Sequence, residues 1–173
     1  MGDRYPDGIT QTHLRTSQWH RSASPLSFIV LATLILIAVS GTLGGLPNPS
    51  RSAAGPTARL TLEAPQIARS GMVFEMRMRI DAAHAIAQPV IAVSPAYWHE
   101  LTINTMIPAA ADESYGRGGY RFEYAPLAAG DTLRIKVDGQ INPALVGGTT
   151  GRVTLYDGET LLAALPARLE VRP

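Results

Sequence analysis

Cysteine is absent from this 173-residue chain. Its absence excludes disulfide frameworks, thiolate nucleophiles, cysteine-ligated zinc and a lipidated N-terminal cysteine. An excess of charge of one sign is absent too, because fifteen Lys plus Arg face fourteen Asp plus Glu, for a formal net charge of +1. Nucleic acid is therefore not expected as a partner.

Sequence signatures of catalysis are also missing. The chain contains no G-x-x-x-x-G-K-[ST] or G-x-G-x-x-G segment for phosphates, and no G-x-S-x-G elbow for acyl transfer. His84 and His99 are the only histidines after residue 25, and neither has a metal-binding spacing such as H-E-x-x-H. We therefore expect no enzymatic activity, no metal and no cofactor.

A run without any charged residue occupies residues 26–46, with the sequence LSFIVLATLILIAVSGTLGGL. As a helix rising 1.5 Å per residue it reaches roughly 31 Å, the thickness of a bilayer's hydrocarbon core. Ser24 and Pro25 are typical of a helix start, and Gly44 and Gly45 of a helix end. The run predicts one membrane-spanning helix in a single-pass protein.

Alternatives to this anchor stay open. Ala38-Val39-Ser40 resembles a signal-peptide cleavage site, and cleavage near Ser40 would yield a secreted protein. The 25 residues before the run are long for a signal peptide and favour an uncleaved anchor. Gly41 and Gly45 form a G-x-x-x-G pair, which would allow helix pairing and a homo-oligomer, although such glycines also mark helix ends.

Charges flanking the run give a weak bias in orientation. Arg15 and Arg21 before it balance Arg51 and Arg59 after it. Arg4 and the free amino group tip the balance, because positive charge favours the cytoplasmic side. We predict a cytoplasmic N-terminus and an extracytoplasmic C-terminal domain at the cell membrane.

Composition divides the chain into four segments. Residues 1–25 are polar and mixed in charge, which predicts a mobile tail ahead of the helix at 26–46. Residues 47–56 are rich in Pro, Ser and Ala, as expected of a linker, and residues 57–173 form the folded domain.

Apolar residues alternate with polar ones through most of this domain, a period that predicts half-buried β-strands. Five stretches share the pattern: Ala58–Glu63, Phe74–Ile80, Tyr120–Tyr124, Leu133–Val137 and Ala167–Val171. Further strands are predicted at Pro89–Ser94 and Glu100–Ile107, and a hairpin across Asp157-Gly158 joins Arg152–Tyr156 to Glu159–Leu162. About eight short antiparallel strands predict an all-β, two-sheet sandwich.

The layout resembles the immunoglobulin-like and fibronectin type III-like domains of bacterial envelope proteins. Leu127-Ala128-Ala129-Gly130-Asp131-Thr132-Leu133 is similar to their L-x-x-G-[DE]-x turn before a strand. Because the Cys–Trp–Cys pattern of antibody domains is missing, the resemblance implies the fold and no binding residues. Arginine outnumbers lysine fourteen to one, a bias typical of GC-rich bacterial genomes.

Candidate contact residues fall in two clusters. Tyr97, Trp98 and His99 follow a predicted strand, where aromatic side chains suit either recognition or the sandwich core. Asn104 leads towards a predicted irregular loop, residues 109–119, in which Asp112 and Glu113 could ligate calcium beside Arg117. A solvated acidic loop is the simpler interpretation.

Gln140 and Asn142 lie in a second predicted loop, Val137 to Gly151, where amides bind a ligand or satisfy a turn. An unrecognised hydrolase is one alternative function, using either Ser114 with His84 or His99, or Asp112 and Glu113. A small-ligand or carbohydrate-binding module is another. The favoured hypothesis is a non-enzymatic, membrane-anchored protein whose sandwich contacts a protein partner, as an accessory or assembly factor of another envelope protein.

Overall fold

The computed structural model describes residues 18–41, 47–117 and 119–172, with side chains from residue 25 onward. The chain divides into two compact units, residues 1–42 and 43–173. Much of the predicted tail, together with the glycines at 44 and 45, lies outside the described residues.

In the described part of the first unit, helix α1 spans Gln18–Val39. It begins earlier than the Ser24-Pro25 signal predicts, because the helix continues through Pro25, which can sit inside a helix at the loss of one hydrogen bond. Gly41 follows the helix end with φ 73°, a left-handed conformation that glycine adopts freely. The predicted helix-pairing residue Gly41 therefore lies in the turn after α1, and its partner Gly45 is outside the described residues. Among the described residues, no helix is both long enough and apolar enough to cross a membrane.

The described residues of the second unit form two β-sheets and one short helix. In chain order its elements are β1 Ser50–Ala54, β2 Ala58–Glu63, β3 Ile67–Arg69, β4 Val73–Ala82, β5 Pro89–Val93, α2 Pro95–Trp98, β6 Leu101–Ile107, β7 Asp112–Gly116, β8 Gly119–Glu123, β9 Thr132–Ile141, β10 Thr149–Asp157 and β11 Thr160–Arg172. The prediction of a mainly β, two-sheet sandwich is confirmed.

The first sheet has the order β1-β2-β4-β9-β6 and is antiparallel throughout. The second has the order β3-β11-β10-β5-β8-β7, antiparallel except where β3 pairs parallel to β11. Strand β6 thus ends one sheet and β7 ends the other.

Alternation along the strands builds one core shared by both sheets. In β4, Met76, Met78 and Ile80 are buried while the residues between them face outward. The opposing sheet contributes Ile91, Val93, Val153, Leu155 and Leu165, among others. Each large apolar side chain buried in this way contributes roughly 1.5–3 kcal/mol, which explains how the sandwich holds together without a disulfide.

Three segments predicted to be irregular contain ordered strands. Strand β1 lies inside the predicted linker and pairs with β2. Strand β7 lies inside the predicted 109–119 loop, and β9 continues through Gly139 to Ile141. In each case the backbone pairs with a neighbouring strand whose position the local sequence does not reveal. The predicted turn at Leu127–Leu133 does form, with Gly130 at φ 90° and the Asp131 carboxylate accepting from the Ala128 amide at 2.8 Å.

Gly139 lets β9 lie close to both of its neighbours, β4 and β6. A Cβ added there would lie 2.6 Å from the Phe74 ring and 2.7 Å from the Thr102 carbonyl oxygen of β6.

We expect Gly139→Ala to destabilise the sandwich by about 1–3 kcal/mol through overpacking, measured by urea unfolding of the full chain. Gly116→Ala is the matched control, because its added Cβ would meet only Arg121 Cδ at an ordinary 3.6 Å. Equal midpoints for Gly139→Ala and the parent chain would show that β4 and β6 do not pack against Gly139 this tightly.

Candidate functional site

A cleft of about 450 Å³ opens at the side of the sandwich where the two sheets end. Edge strand β6 forms one wall and the β7–β8 hairpin forms the other. Its lining combines aromatic, aliphatic and polar side chains: Trp98, Leu101, Ile103, Asn104, Thr105, Met106, Glu113, Tyr120 and Phe122. Trp98, Asn104 and Glu113 are thus brought together from two separately predicted clusters.

Aromatic rings cover the β8 wall of this cleft. Tyr120 and Phe122 are two residues apart on β8, so strand alternation sends both rings to the inner face. The Trp98 ring centroid lies 5.3 Å from that of Phe122 and 5.7 Å from that of Tyr120. Tyr115 on β7 meets Tyr120 edge-on at 5.4 Å. These distances are those of favourable aromatic pairs, so the wall is preformed.

Trp98 reaches the cleft from helix α2, which packs against β10 and β11. The packing is close, since a Cβ on Gly151 would lie 2.8 Å from the Cβ of Tyr97. The hydroxyl of Ser94, just before the helix, accepts a hydrogen bond from the Arg152 amide at 2.9 Å. The backbone of β10 therefore holds the helix, and through it the indole, in position.

The structure buries the two predicted aromatic residues in different places. Tyr97 is 3% exposed and does not line the cleft, so it is a core residue. Trp98 is 9% exposed, and its Nε1 has no hydrogen-bond partner within the described part of the chain. His99 is exposed and ends α2.

A β-bulge shapes the opposite wall. The pairing of β6 with β9 shifts between Ile103 and Thr105, which leaves Asn104 as an extra residue in β6. A bulge of this kind redirects a side chain, and Asn104 lines the cleft beside Thr105. The Thr105 hydroxyl donates to the Asp138 carboxylate at 3.1 Å. The β6 wall therefore offers an amide and a hydroxyl between its apolar residues.

Tyr124 lies next to the same region on the inner face. Its hydroxyl donates to Met106 Sδ at 3.0 Å. Burial raises the pKa of Tyr124 far above its usual value, and the nearby Glu113 carboxylate raises it further. This phenol stays neutral at physiological pH and acts as a hydrogen-bond donor.

Strand β7 separates the predicted calcium ligands. Glu113 pairs with Phe122 and lines the cleft, whereas Asp112 pairs with Glu123 one residue earlier and therefore points to the other face. Among the described residues, no group of three or more His, Cys, Asp or Glu side chains is arranged to hold a metal ion. Arg117 sits in the β7–β8 turn with φ 49° and forms an ion pair with Glu159, away from the cleft lining.

The other polar side chains predicted to bind a ligand form hydrogen bonds within the domain or lie outside the cleft. Gln140 donates to the Gly71 carbonyl at 3.1 Å, and Asn142 donates to the Glu100 carboxylate at 3.2 Å. Ser114 lines a small depression of about 150 Å³ with side chains that include Arg121 and Glu123, and no histidine among the described residues lines it.

The sequence did not identify several of the cleft-lining residues as site residues: Leu101, Ile103, Thr105, Met106, Tyr120 and Phe122. The alternation in Tyr120–Tyr124 did place three rings on one face of a strand. It gave no information on which other strand that face would meet.

Comparison with known proteins adds little to this geometry. No family model matches the chain, and no curated protein matches it. The CARDB domain of a Pyrococcus furiosus protein is similar in structure, with 8% sequence identity and a TM-score of 0.44. The match covers 69% of this chain and 97% of that domain. Identity at this level transfers no function.

Tyr97 provides a pH-dependent test of the core beneath α2. Its burial raises the pKa of the phenol from 10.0 to about 12. The unfolded chain therefore loses this proton first, so stability present below pH 10 should fall by roughly 2–3 kcal/mol as the pH approaches 12.

We expect Tyr97→Phe to reduce the loss of unfolding free energy between pH 10 and 12. Tyr115→Phe, which alters an exposed ring, should leave that loss unchanged. Urea unfolding from pH 9 to 12 measures the difference. The same slope in Tyr97→Phe and the parent chain would contradict a buried Tyr97.

Proposed function

We propose that this chain is a membrane-anchored, non-enzymatic binding protein whose sandwich contacts a protein partner through the cleft between β6 and β7. The observation that carries the proposal is that two free strand edges flank one aromatic cleft. Backbone groups at such edges are free to pair with a further strand, and the cleft can receive side chains from it. The proposal includes an accessory or assembly role beside another envelope protein.

Strand β6 is the better of the two edges for a partner. Its sequence, LTINTMI, contains no charged residue, and Ile107 is 59% exposed. Edge strands in stable monomers are usually protected by charge or proline, whereas β6 relies on one bulge. Strand β7 carries Asp112 and Glu113 and is better protected. An extended segment with apolar side chains suits the β6 edge.

The proposed anchor rests on the first unit. Its large apolar side chains are exposed around the helix: Leu26, Phe28, Ile29, Val30, Leu31, Leu34, Ile35, Leu36, Ile37 and Val39. A helix that is apolar on every side has no polar face to turn towards water, and lipid is the medium that matches it. The proposed span, residues 26–46, extends past the described part of this unit. The proposed cytoplasmic N-terminus and extracytoplasmic sandwich rest on the weak bias in flanking charge alone.

An immunoglobulin-like topology is part of the proposal. The order β2-β4-β9-β6 corresponds to the A-B-E-D sheet of that fold, and β11-β10-β5 corresponds to G-F-C. The β7–β8 hairpin extends the second sheet beyond β5, as the C′ and C″ strands do in variable domains. In variable domains the C′ and C″ strands come before strand D in the chain, whereas the β7–β8 hairpin comes after β6, the strand at the D position. This difference in strand order builds one wall of the cleft.

A small apolar or carbohydrate ligand is the second candidate. Aromatic walls together with Asn104, Thr105 and Glu113 match the mixture of apolar surface and a few polar groups found in ligand sites. Trp98 is too deeply buried to offer its full face for stacking, which favours the protein partner.

Site-specific photocrosslinking in native membranes tests the proposed function. A crosslinker at Tyr115, which is 65% exposed beside the cleft, should yield one discrete protein adduct. Leu161, 59% exposed on β11, is the matched control position and should yield none. The same adducts from both positions, or none from either, would count against a partner at the cleft. Protection of Tyr115 by an added sugar without any protein adduct would favour the second candidate.

The anchor is tested separately by membrane extraction. We expect the parent chain to keep its original N-terminus and to resist alkaline carbonate. Leu34→Arg places a charge in the proposed span, which costs about 3 kcal/mol of insertion free energy, and should release much of the chain from the membrane. Leu34→Ala should not release it. A mature N-terminus near Gly41 would instead demonstrate signal-peptide cleavage.

A further inference from the structure

Four cations meet on the outer face of the first sheet. The register of β4 with β9 places Arg79 directly opposite Arg134, and Arg77 directly opposite Lys136. These are neighbouring positions on the two central strands, so the four side chains form a square, which we call the cationic quartet. Lys136 is the only lysine in the chain.

The cationic quartet surrounds a depression of about 360 Å³. Thr61 and Glu63 from the adjacent β2 complete its polar lining. The register places Thr61 beside Arg79 and Glu63 beside Arg77. Four cationic side chains and one carboxylate therefore face a single recess.

Carboxylates on the same face neutralise part of this charge. Glu75 forms ion pairs with Arg77 at 2.6 Å and with Lys136 at 2.9 Å, and Asp138 lies 3.2 Å from the Lys136 amine. Asp81 accepts from Arg79 at 2.8 Å. Glu75 precedes Arg77 on β4 and lies opposite Asp138 of β9, while Asp81 follows Arg79, so the carboxylates flank the quartet at both ends.

Arg134 is the member of the cationic quartet that none of these carboxylates contacts. Among the described residues it makes no hydrogen bond or ion pair, although its charge acts on Asp81 from a distance. Like charges directly opposite each other on paired strands are unfavourable. The sheet nevertheless holds Arg134 against Arg79 at its centre, where an anion between the two guanidinium groups would convert the repulsion into attraction.

We propose that the cationic quartet binds a small multivalent oxyanion, a phosphate- or sulfate-bearing group seated between Arg79 and Arg134. Arg134 can bind such oxygens through paired N–H donors. Arg79, whose Nε and one Nη contact Asp81, adds its remaining N–H groups, and the Lys136 ammonium adds a point charge. An extended polyanion does not fit, because Glu63, Glu75, Asp81 and Asp138 surround the recess and would repel it. No described residue lines both this recess and the aromatic cleft, and the proposal does not depend on the function proposed for that cleft.

Calorimetric titration with pyrophosphate tests the site in the full chain, held in an uncharged detergent. We expect the parent to bind, and Arg134→Gln and Arg79→Gln to weaken binding at least tenfold. Arg168→Gln is the matched control, because it removes one positive charge from an exposed position on β11 and should change binding less than twofold. Arg134→Lys, which keeps the charge and loses the paired donors, should be intermediate.

Two results would overturn the proposal. One is a parent chain that does not bind pyrophosphate, and the other is an equal loss in Arg168→Gln and Arg134→Gln, which would indicate diffuse attraction by net charge. Thermal unfolding of each variant without pyrophosphate confirms that the fold is retained, since all three arginines are exposed.

Lipid discs distinguish a headgroup from a soluble ligand. General repulsion by anionic lipid affects the parent and Arg134→Gln alike, so the ratio of their affinities is the informative quantity. A ratio that stays near ten in neutral and anionic discs indicates a soluble oxyanion. A ratio that falls to about one only in anionic discs indicates that headgroups occupy the quartet.

Discussion

The fold depends on the mutual burial of two apolar faces, with no covalent crosslink to support them. Every inward residue of β4 and β9 must find a partner on the opposing sheet, and rows such as Met76, Met78 and Ile80 do so almost completely. The two sheets carry different numbers of strands, five and six, and end in different edges. Where β6 and the β7–β8 hairpin end the sheets, the burial is incomplete and the cleft forms.

The sandwich thus separates two kinds of chemistry on the two sides of one sheet. Its inner side ends in aromatic and aliphatic side chains at the β6 edge. Its outer side carries charge, because alternation sends Arg77, Arg79, Arg134 and Lys136 away from the core. A single rule of strand geometry, side chains alternating between faces, produces both surfaces.

Local sequence was enough to predict the strands that alternate. Stretches such as Ala58–Glu63 and Leu133–Val137 have the two-residue period because one of their faces is buried. Strand β7, with the sequence DESYG, is exposed along almost its whole length and has no such period. Strand β1, SRSAA, is polar or small throughout. These strands exist because a neighbour offers backbone partners, and that information is not local.

The candidate site was predictable only in part, for the same reason. Trp98 was predicted from its residue type, Asn104 from its position before a predicted loop, and Glu113 from its position within that loop. Their convergence depends on α2 crossing between sheets and on β8 pairing with β5, which are long-range events. Asp112 and Glu113 were predicted to act together because they are adjacent in sequence. They lie in a strand that the sequence did not reveal, so their side chains face opposite sides.

The Asn104 bulge has a consequence for any segment that joins β6. An incoming backbone that pairs regularly with Leu101–Ile103 arrives one residue out of step at Thr105–Ile107. A guest must therefore dock along only half of β6 or carry a matching irregularity of its own. This mismatch disfavours regular pairing of one β6 edge with the β6 edge of a second copy, and so disfavours fibril growth. It still permits pairing with a single segment whose backbone matches the bulge.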